Sequence, residues 1–239
     1  MRRSRTSEAD VSAFQQMLLA GPGEPSDPLF ANVSLLLFGD GANNGTIFTD
    51  SSSYNRTLTR VGNTVTSTAQ KKFASASIYI PTGSDSLIVP SNSLTVYQQP
   101  FTLEFWIYIP VLPNALKFFM LTAWPSTYMS LSPGNVISLV STTSVDAGVV
   151  TAGEWNYFAW SSDAGNAWGF NSGGVYDSSA LGFTQGTIPS TFEIGGTQIS
   201  SSGFRLEDYY ISNLRFTSGV TRYTPGNFPG APTARFPDQ

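Results

Sequence analysis

Phe101-Thr102-Leu103-Glu104-Phe105-Trp106-Ile107-Tyr108-Ile109 decides the fold class. Strand side chains alternate between two faces, so period two puts Phe101, Leu103, Phe105, Ile107 and Ile109 on one side and Thr102, Glu104, Trp106 and Tyr108 on the other. The first set is purely apolar and predicts a core face. The second is amphipathic and predicts the far side of a curved sheet, partly open to water. Working outward, 33–38, 77–80, 86–89, 136–140, 155–160, 191–194 and 209–216 are further short runs rich in β-branched and aromatic residues, separated by Gly, Pro, Asn, Asp and Ser. That pattern predicts an all-β chain, most simply a sandwich of two antiparallel sheets.

The two ends read differently. Residues 7–20 predict a short N-terminal helix: Ser7 can cap it, and Val11, Phe14, Met17 and Leu18 form an apolar stripe that ends at Gly21-Pro22. The tether Gly21-Pro22-Gly23-Glu24-Pro25-Ser26-Asp27-Pro28 continues neither a helix nor a central strand, which sets a boundary near Ser26. A helix of this length is marginal alone. Its stripe either folds back on the same molecule or docks on another. The last eighteen residues, with Pro225, Pro229, Pro232 and Pro237, read as an extended strap laid over the sandwich by Tyr223, Phe228 and Phe236. Residues 1–26 are thus expected to be an anchor and linker, and 27–239 one sandwich domain.

Composition narrows the chemistry. The 239-residue chain holds no histidine and no cysteine, which removes Ser-His-Asp and Cys-His catalysis, imidazole- or thiolate-bound metals and disulfides. Twelve basic against sixteen acidic residues leave no positive field for nucleic acid. No run approaches the ~20 apolar residues that cross a bilayer, and Glu8, Asp10, Gln15 and Gln16 interrupt any secretory core behind Arg2, Arg3 and Arg5. Synthesis in a cytoplasm, with neither membrane nor nucleic acid as partner, is the expectation.

Five segments in order resemble the laminin-G-like or concanavalin A-like jelly roll, in the form common among bacteriophage and environmental virus proteins. They are Val33-Ser34-Leu35-Leu36-Leu37-Phe38-Gly39-Asp40-Gly41 with Phe48-Thr49-Asp50-Ser51-Ser52; Lys72 to Ile80 with Asp85 to Pro90; and Phe101 to Ile109, similar to that family's "FTIEFWV" strand. The fourth is Gly153-Glu154-Trp155-Asn156-Tyr157-Phe158-Ala159, where Tyr157 replaces a usual histidine. The fifth is Tyr210 to Phe216, leading through Arg222-Tyr223-Thr224 to Phe228-Pro229. The resemblance spans nearly all of 29–239 and implies a two-sheet antiparallel sandwich. It says less about function, because this fold hosts lectins, glycosidases, adhesion modules and virion parts.

Three chemistries are open to such a fold. Glycoside hydrolysis needs two carboxylates across a cleft, and the Glu-x-Asp-x-x-Glu strand of the glucanase branch is absent. Glu193, Glu207 and Asp208 are not in that arrangement, and Glu104 reads as a structural group, so no enzyme is expected. Calcium, which the resemblance implies as a possible cofactor, could draw oxygens from Asp40, Asn43, Asn44 and Asp50 beside Gly41 and Gly45, though Asp-Gly and Asn-Gly are also turn residues. Sugar binding needs an aromatic platform with fixed polar groups. Trp124, Tyr128, Trp168 and Tyr176 are the loop aromatics set among Ser, Thr, Asn and Asp, whereas Trp155 and Trp160 are expected in or at the edge of the core, where Trp168 could also pack. The glycosylation-type triplets at Asn32, Asn44 and Asn55 are read as chance in a Ser/Thr-rich chain.

The leading expectation is a non-enzymatic bacteriophage virion protein, capsid-decorating or tail-associated. It is expected to bind other virion proteins through Val11, Phe14, Met17 and Leu18, and to form a homo-oligomer. The alternative is a lectin-like module that grips host-surface polysaccharide.

Overall fold

The computed structural model describes residues 26–90, 100–123, 127–141, 143–163, 165–179, 191–196 and 202–239. The N-terminal stripe of Val11, Phe14, Met17 and Leu18 lies outside the described residues, as does Trp124. Fifteen strands occur among those described: β1 (Val33–Leu37), β2 (Thr59–Val61), β3 (Val65–Ser67), β4 (Ser77–Ile80), β5 (Ser86–Pro90), β6 (Phe101–Tyr108), β7 (Lys117–Ala123), β8 (Thr127–Leu131), β9 (Val136–Val140), β10 (Ser144–Val149), β11 (Trp155–Ser162), β12 (Ala167–Asn171), β13 (Gly174–Ser179), β14 (Thr191–Gly195) and β15 (Tyr209–Ser218). The strand pairings given by these residues are all antiparallel. An eight-stranded sheet runs β13-β12-β11-β6-β15-β4-β3 with β1 also on β15, and a seven-stranded sheet runs β10-β9-β8-β7-β14-β5-β2.

The alternation in the quoted stretch places β6 at the centre of the first sheet. Phe101, Leu103, Phe105, Ile107 and Ile109 lie wholly buried in the inter-sheet core. They meet Phe119, Met120, Met129, Leu131, Ile137, Leu139, Phe192 and Ile194 from the opposing sheet. In β15 the inward set is Tyr209, Ile211, Leu214 and Phe216. The step from 211 to 214 breaks period two, because a register shift between Ser212 and Arg215, with Asn213 at φ 53°, inserts one residue. Along one flank the sheets meet. Trp160 donates its Nε1–H to the Val145 carbonyl at 2.9 Å, and the Asp146 N–H reaches the Asp177 carboxylate at 3.1 Å. Glycine is required at position 169, since a Cβ there would overlap the Asp146 carbonyl oxygen.

The far side of β6 is covered, not partly open as the sequence suggests: Thr102 and Glu104 are fully buried and Trp106 is 6% exposed. The reason is a second apolar layer outside the eight-stranded sheet. Val33, Leu36, Phe38, Trp106, Tyr157, Ala159 and Phe170 form its floor, and Phe236, Tyr223, Phe228, Phe73 and Phe30 pack on them. Residues 219–239 carry no strand or helix, yet they supply most of that cover.

A closed ionic cluster lies beneath it. Arg215 donates to Glu104 through Nε at 2.9 Å and Nη2 at 2.7 Å, and to Asp27 through Nη1 at 2.9 Å. Arg222 grips both oxygens of Asp27 at 2.9 and 2.6 Å. The other Glu104 oxygen accepts the hydroxyls of Tyr157 at 2.6 Å and Tyr223 at 2.9 Å. Two carboxylates thus face two guanidiniums, so the buried charge sums to zero. Burial foremost, then the negative Glu104, pushes both tyrosine hydroxyls well up from their ordinary value. The Asp27 N–H donates to the Gln239 carbonyl at 2.9 Å, which brings the two ends of the sandwich domain together.

Candidate functional site

The loop joining β1 to β2 is organised around one buried carboxylate. Asp50 accepts the N–H groups of Leu36 and Ser52 on Oδ1, each at 3.0 Å, and the N–H of Arg56 on Oδ2 at 3.0 Å. The Arg56 Nη1 adds an ion pair at 3.4 Å and donates to the Ser34 carbonyl. An antiparallel bridge pairs Thr49 with Thr57, and another pairs Gly45 with Thr66. Asp50 therefore does for this loop what a ladder does for a strand, and fixes it against β1.

This pinning creates a depression of about 370 Å³ lined by Thr46, Ile47, Phe48, Thr49, Asp50, Asn55, Arg56, Thr57 and Leu58. A smaller cavity of about 150 Å³ adjoins it, sharing Phe48 and Thr49. Thr46, Thr49, Asn55 and Thr57 are exposed, and among the described residues their side chains make no hydrogen bond. Next in sequence to the lining residue Asn55, the Tyr54 ring, 50% exposed, rests on the Arg56 guanidinium, whose Cζ lies 4.3 Å from the ring centroid. Burial draws the Arg56 pKa down from its ordinary value while Asp50 opposes this, and an arginine remains charged regardless. The result is a fixed, half-exposed aromatic face beside several free hydroxyls and an amide.

The residues singled out from sequence do not assemble into one platform. Tyr128 is in β8, where Met129 and Leu131 point inward, so it faces out from the seven-stranded sheet against Phe118, ring centroids 4.9 Å apart. Trp168 lies in β12 on the outer side of the other sheet and packs on the second apolar layer. Tyr176, 46% exposed, lies in edge strand β13. All three are strand residues rather than loop residues, and Tyr128 and Trp168 lie on opposite outer faces of the sandwich. The strands that carry them are short and rich in Gly, Ser, Thr and Asn, which hid them among the turns.

Three of the four side chains considered for calcium, Asp40, Asn43 and Asp50, are already engaged by protein donors. Asp40 takes the N–H of Ser75 at 2.9 Å and the Arg235 guanidinium at 2.8 Å; Asn43 takes the N–H of Thr68 at 3.1 Å; Asn44 is a left-handed turn residue, φ 61°. Asp50 is engaged as described, and no cluster of three acidic side chains suited to a metal occurs among the described residues. Of the carboxylates considered for hydrolysis, Glu104 belongs to the ionic cluster and Glu193 is fully buried in β14 of the other sheet. Glu207 is exposed, and Asp208 accepts the Tyr79 hydroxyl at 3.0 Å.

Tyr54 and Arg56 were not singled out by sequence reading. The available signal was Tyr54-Asn55-Arg56-Thr57 close behind Asp50, an aromatic and a cation among hydroxyls in a strand-free stretch.

No protein-family model matches the chain, and no curated protein sequence does. Solved structures do. The two-sheet antiparallel β-sandwich is a fold also seen in receptor-binding domains of botulinum neurotoxins. The binding domain of serotype D superposes with a TM-score of 0.61 at 12% identity, covering 80% of this chain and 49% of that one. The receptor binding domain of the C/D mosaic serotype gives 0.60 at 12% identity over 79% and 48%. A structure of type C, a toxin whose entry into cells depends upon interaction with two ganglioside molecules, gives 0.57 at 13% over 79% and 48%. This chain spans about half the length of those domains, and identities this low carry the fold alone.

Proposed function

We propose that this chain is a non-enzymatic, lectin-like module and that the depression between Thr46 and Leu58 is its sugar site. The observation that carries this is the half-exposed Tyr54 ring fixed on Arg56, a residue that lines a polar depression. A pyranose presents an apolar face that stacks on such a ring, and hydroxyls that seek fixed donors and acceptors. Thr46, Thr49, Asn55 and Thr57 offer both without first having to break internal bonds. The neurotoxin whose cellular uptake depends on gangliosides supports the same ligand class, since a ganglioside headgroup is carbohydrate. Its ganglioside contacts are not transferred here, because half of that domain has no counterpart in this chain.

Replacing Tyr54 by alanine removes the stacking face at an exposed position. Affinity for glycan is expected to fall by about 1 kcal/mol, roughly fivefold, with the melting temperature nearly unchanged. Glycan-array screening of the wild type followed by titration calorimetry of both proteins checks this. A wild type that retains no glycan, or a Tyr54→Ala protein that binds as well as the wild type, contradicts the reading.

Placement on a bacteriophage particle, with host polysaccharide as the sugar, is supported by the five-segment sequence resemblance; residues 1–26 lie outside that resemblance, and their reading as the anchor is supported by the apolar stripe of a helix too short to be stable alone. Deleting residues 1–26 is expected to leave the sandwich folded and to abolish incorporation into particles. Truncated protein found in purified virions would reject that anchor.

A further inference from the structure

We propose that the sugar taken by this depression carries a carboxylate, and that the Arg56 guanidinium receives it. This rests on the reading of the depression as a sugar site and names the class of sugar.

The Arg56 side chain is only 7% exposed, yet among the described residues its Nη2 is buried without any hydrogen-bond partner. Buried donors are nearly always satisfied, and leaving one on a charged group unmade is costly. The same molecule shows how it treats a guanidinium whose role is structural. In Arg215, Nε and Nη2 meet Glu104 and Nη1 meets Asp27. In Arg222, Nε meets Thr217 and both terminal nitrogens meet Asp27. Every nitrogen of those two has an acceptor. Arg56 alone among the three has a terminal nitrogen left over, and it alone lines the depression.

Asp50 does not fill the gap. Its carboxylate already takes three backbone N–H groups, that of Arg56 among them, and it meets the Arg56 guanidinium only through Nη1 at 3.4 Å. A second carboxylate is the acceptor that matches a planar guanidinium in both charge and geometry, which a neutral hydroxyl does not. Tyr54 then stacks the ring that bears the acid, and Thr57 and Asn55 meet its hydroxyls.

The test compares matched pairs: acidic oligosaccharides containing hexuronate or sialate, each against its own carboxyl-reduced neutral derivative, titrated into the full-length protein. The acidic member of a bound pair is expected to bind at least tenfold more tightly. Arg56→Gln is expected to abolish that preference while retaining weak binding that still depends on Tyr54. Equal affinity within the pairs for the wild type overturns the carboxylate while leaving the sugar site standing. That comparison needs no variant, so it decides even where Arg56→Gln fails to fold. A preference that survives in folded Arg56→Gln overturns the assignment to Arg56. Absence of binding to every pair, or binding indifferent to Tyr54→Ala, overturns the sugar site and this proposal with it.

Discussion

Replacing Arg215 with alanine is expected to cost about 3–5 kcal/mol of folding stability, a large share of the roughly 5–15 kcal/mol that holds a domain together. The loss is not that of a surface ion pair, which is worth about 1 kcal/mol or less. Arg215 is 5% exposed and lies between Glu104, Asp27 and the face of Phe236, whose centroid is 3.9 Å from Cζ. Removing it strands Glu104 as a buried charge with only the hydroxyls of Tyr157 and Tyr223 to face. The cover supplied by residues 219–239 also loses a cation–π contact. The acid limit should move as well. Burial raises the Asp27 pKa, but Arg222, the Leu29 N–H and Arg215 together outweigh it and hold the group below its ordinary 3.8. A carboxylate depressed in the folded state stabilises above its unfolded pKa, and that contribution is lost as the pH falls through the lower folded value. Without Arg215 the folded value rises, so acid unfolding begins at a higher pH. Urea unfolding at neutral pH and an acid titration followed by circular dichroism measure both effects. A stability change below about 1 kcal/mol would mean that the cluster is open to water.

Trp160→Ala is expected to cost about 3–5 kcal/mol, the range for emptying a fully buried large aromatic position. Its ring packs near Phe105 and Phe158, with centroids 5.9 and 6.4 Å away. Its Nε1–H is the donor that the buried Val145 carbonyl uses across the flank where β10 lies over β12. The variant opens a cavity and also removes that link between the sheets. Denaturant unfolding should show a lower midpoint with an unchanged slope. A loss within about 1 kcal/mol would contradict the packing described for this flank.

The core was legible where side-chain alternation is uninterrupted. The eight segments read as strands from sequence correspond to β1, β4, β5, β6, β9, β11, β14 and β15, and the inward set of β6 is the one period two selects. The remaining strands were not legible for a physical reason. β13, Gly-Val-Tyr-Asp-Ser-Ser, and β3, Val-Thr-Ser, are short and polar, and their strand conformation comes from pairing with β12 and β4 rather than from their own composition. The second face of β6 was misjudged because its cover comes from residues distant in sequence, Phe73 some thirty positions earlier and Tyr223, Phe228 and Phe236 more than a hundred later. The candidate site was hidden in the same way. Asp50 was visible as an oxygen donor, but its bond to the Leu36 N–H fourteen residues back, which sets the loop and hence the place of Tyr54, is a tertiary fact.

A saccharide bound to this sandwich is expected to touch the loop between β1 and β2. Amide chemical-shift mapping of the isotope-labelled protein, titrated with the tightest-binding oligosaccharide, measures that directly. Saturable shifts concentrated between Thr46 and Leu58, with Tyr54 and Arg56 among the largest, are the predicted result. Saturable shifts that instead surround Tyr128 on the seven-stranded face or Trp168 on the other, with the loop silent, would contradict it.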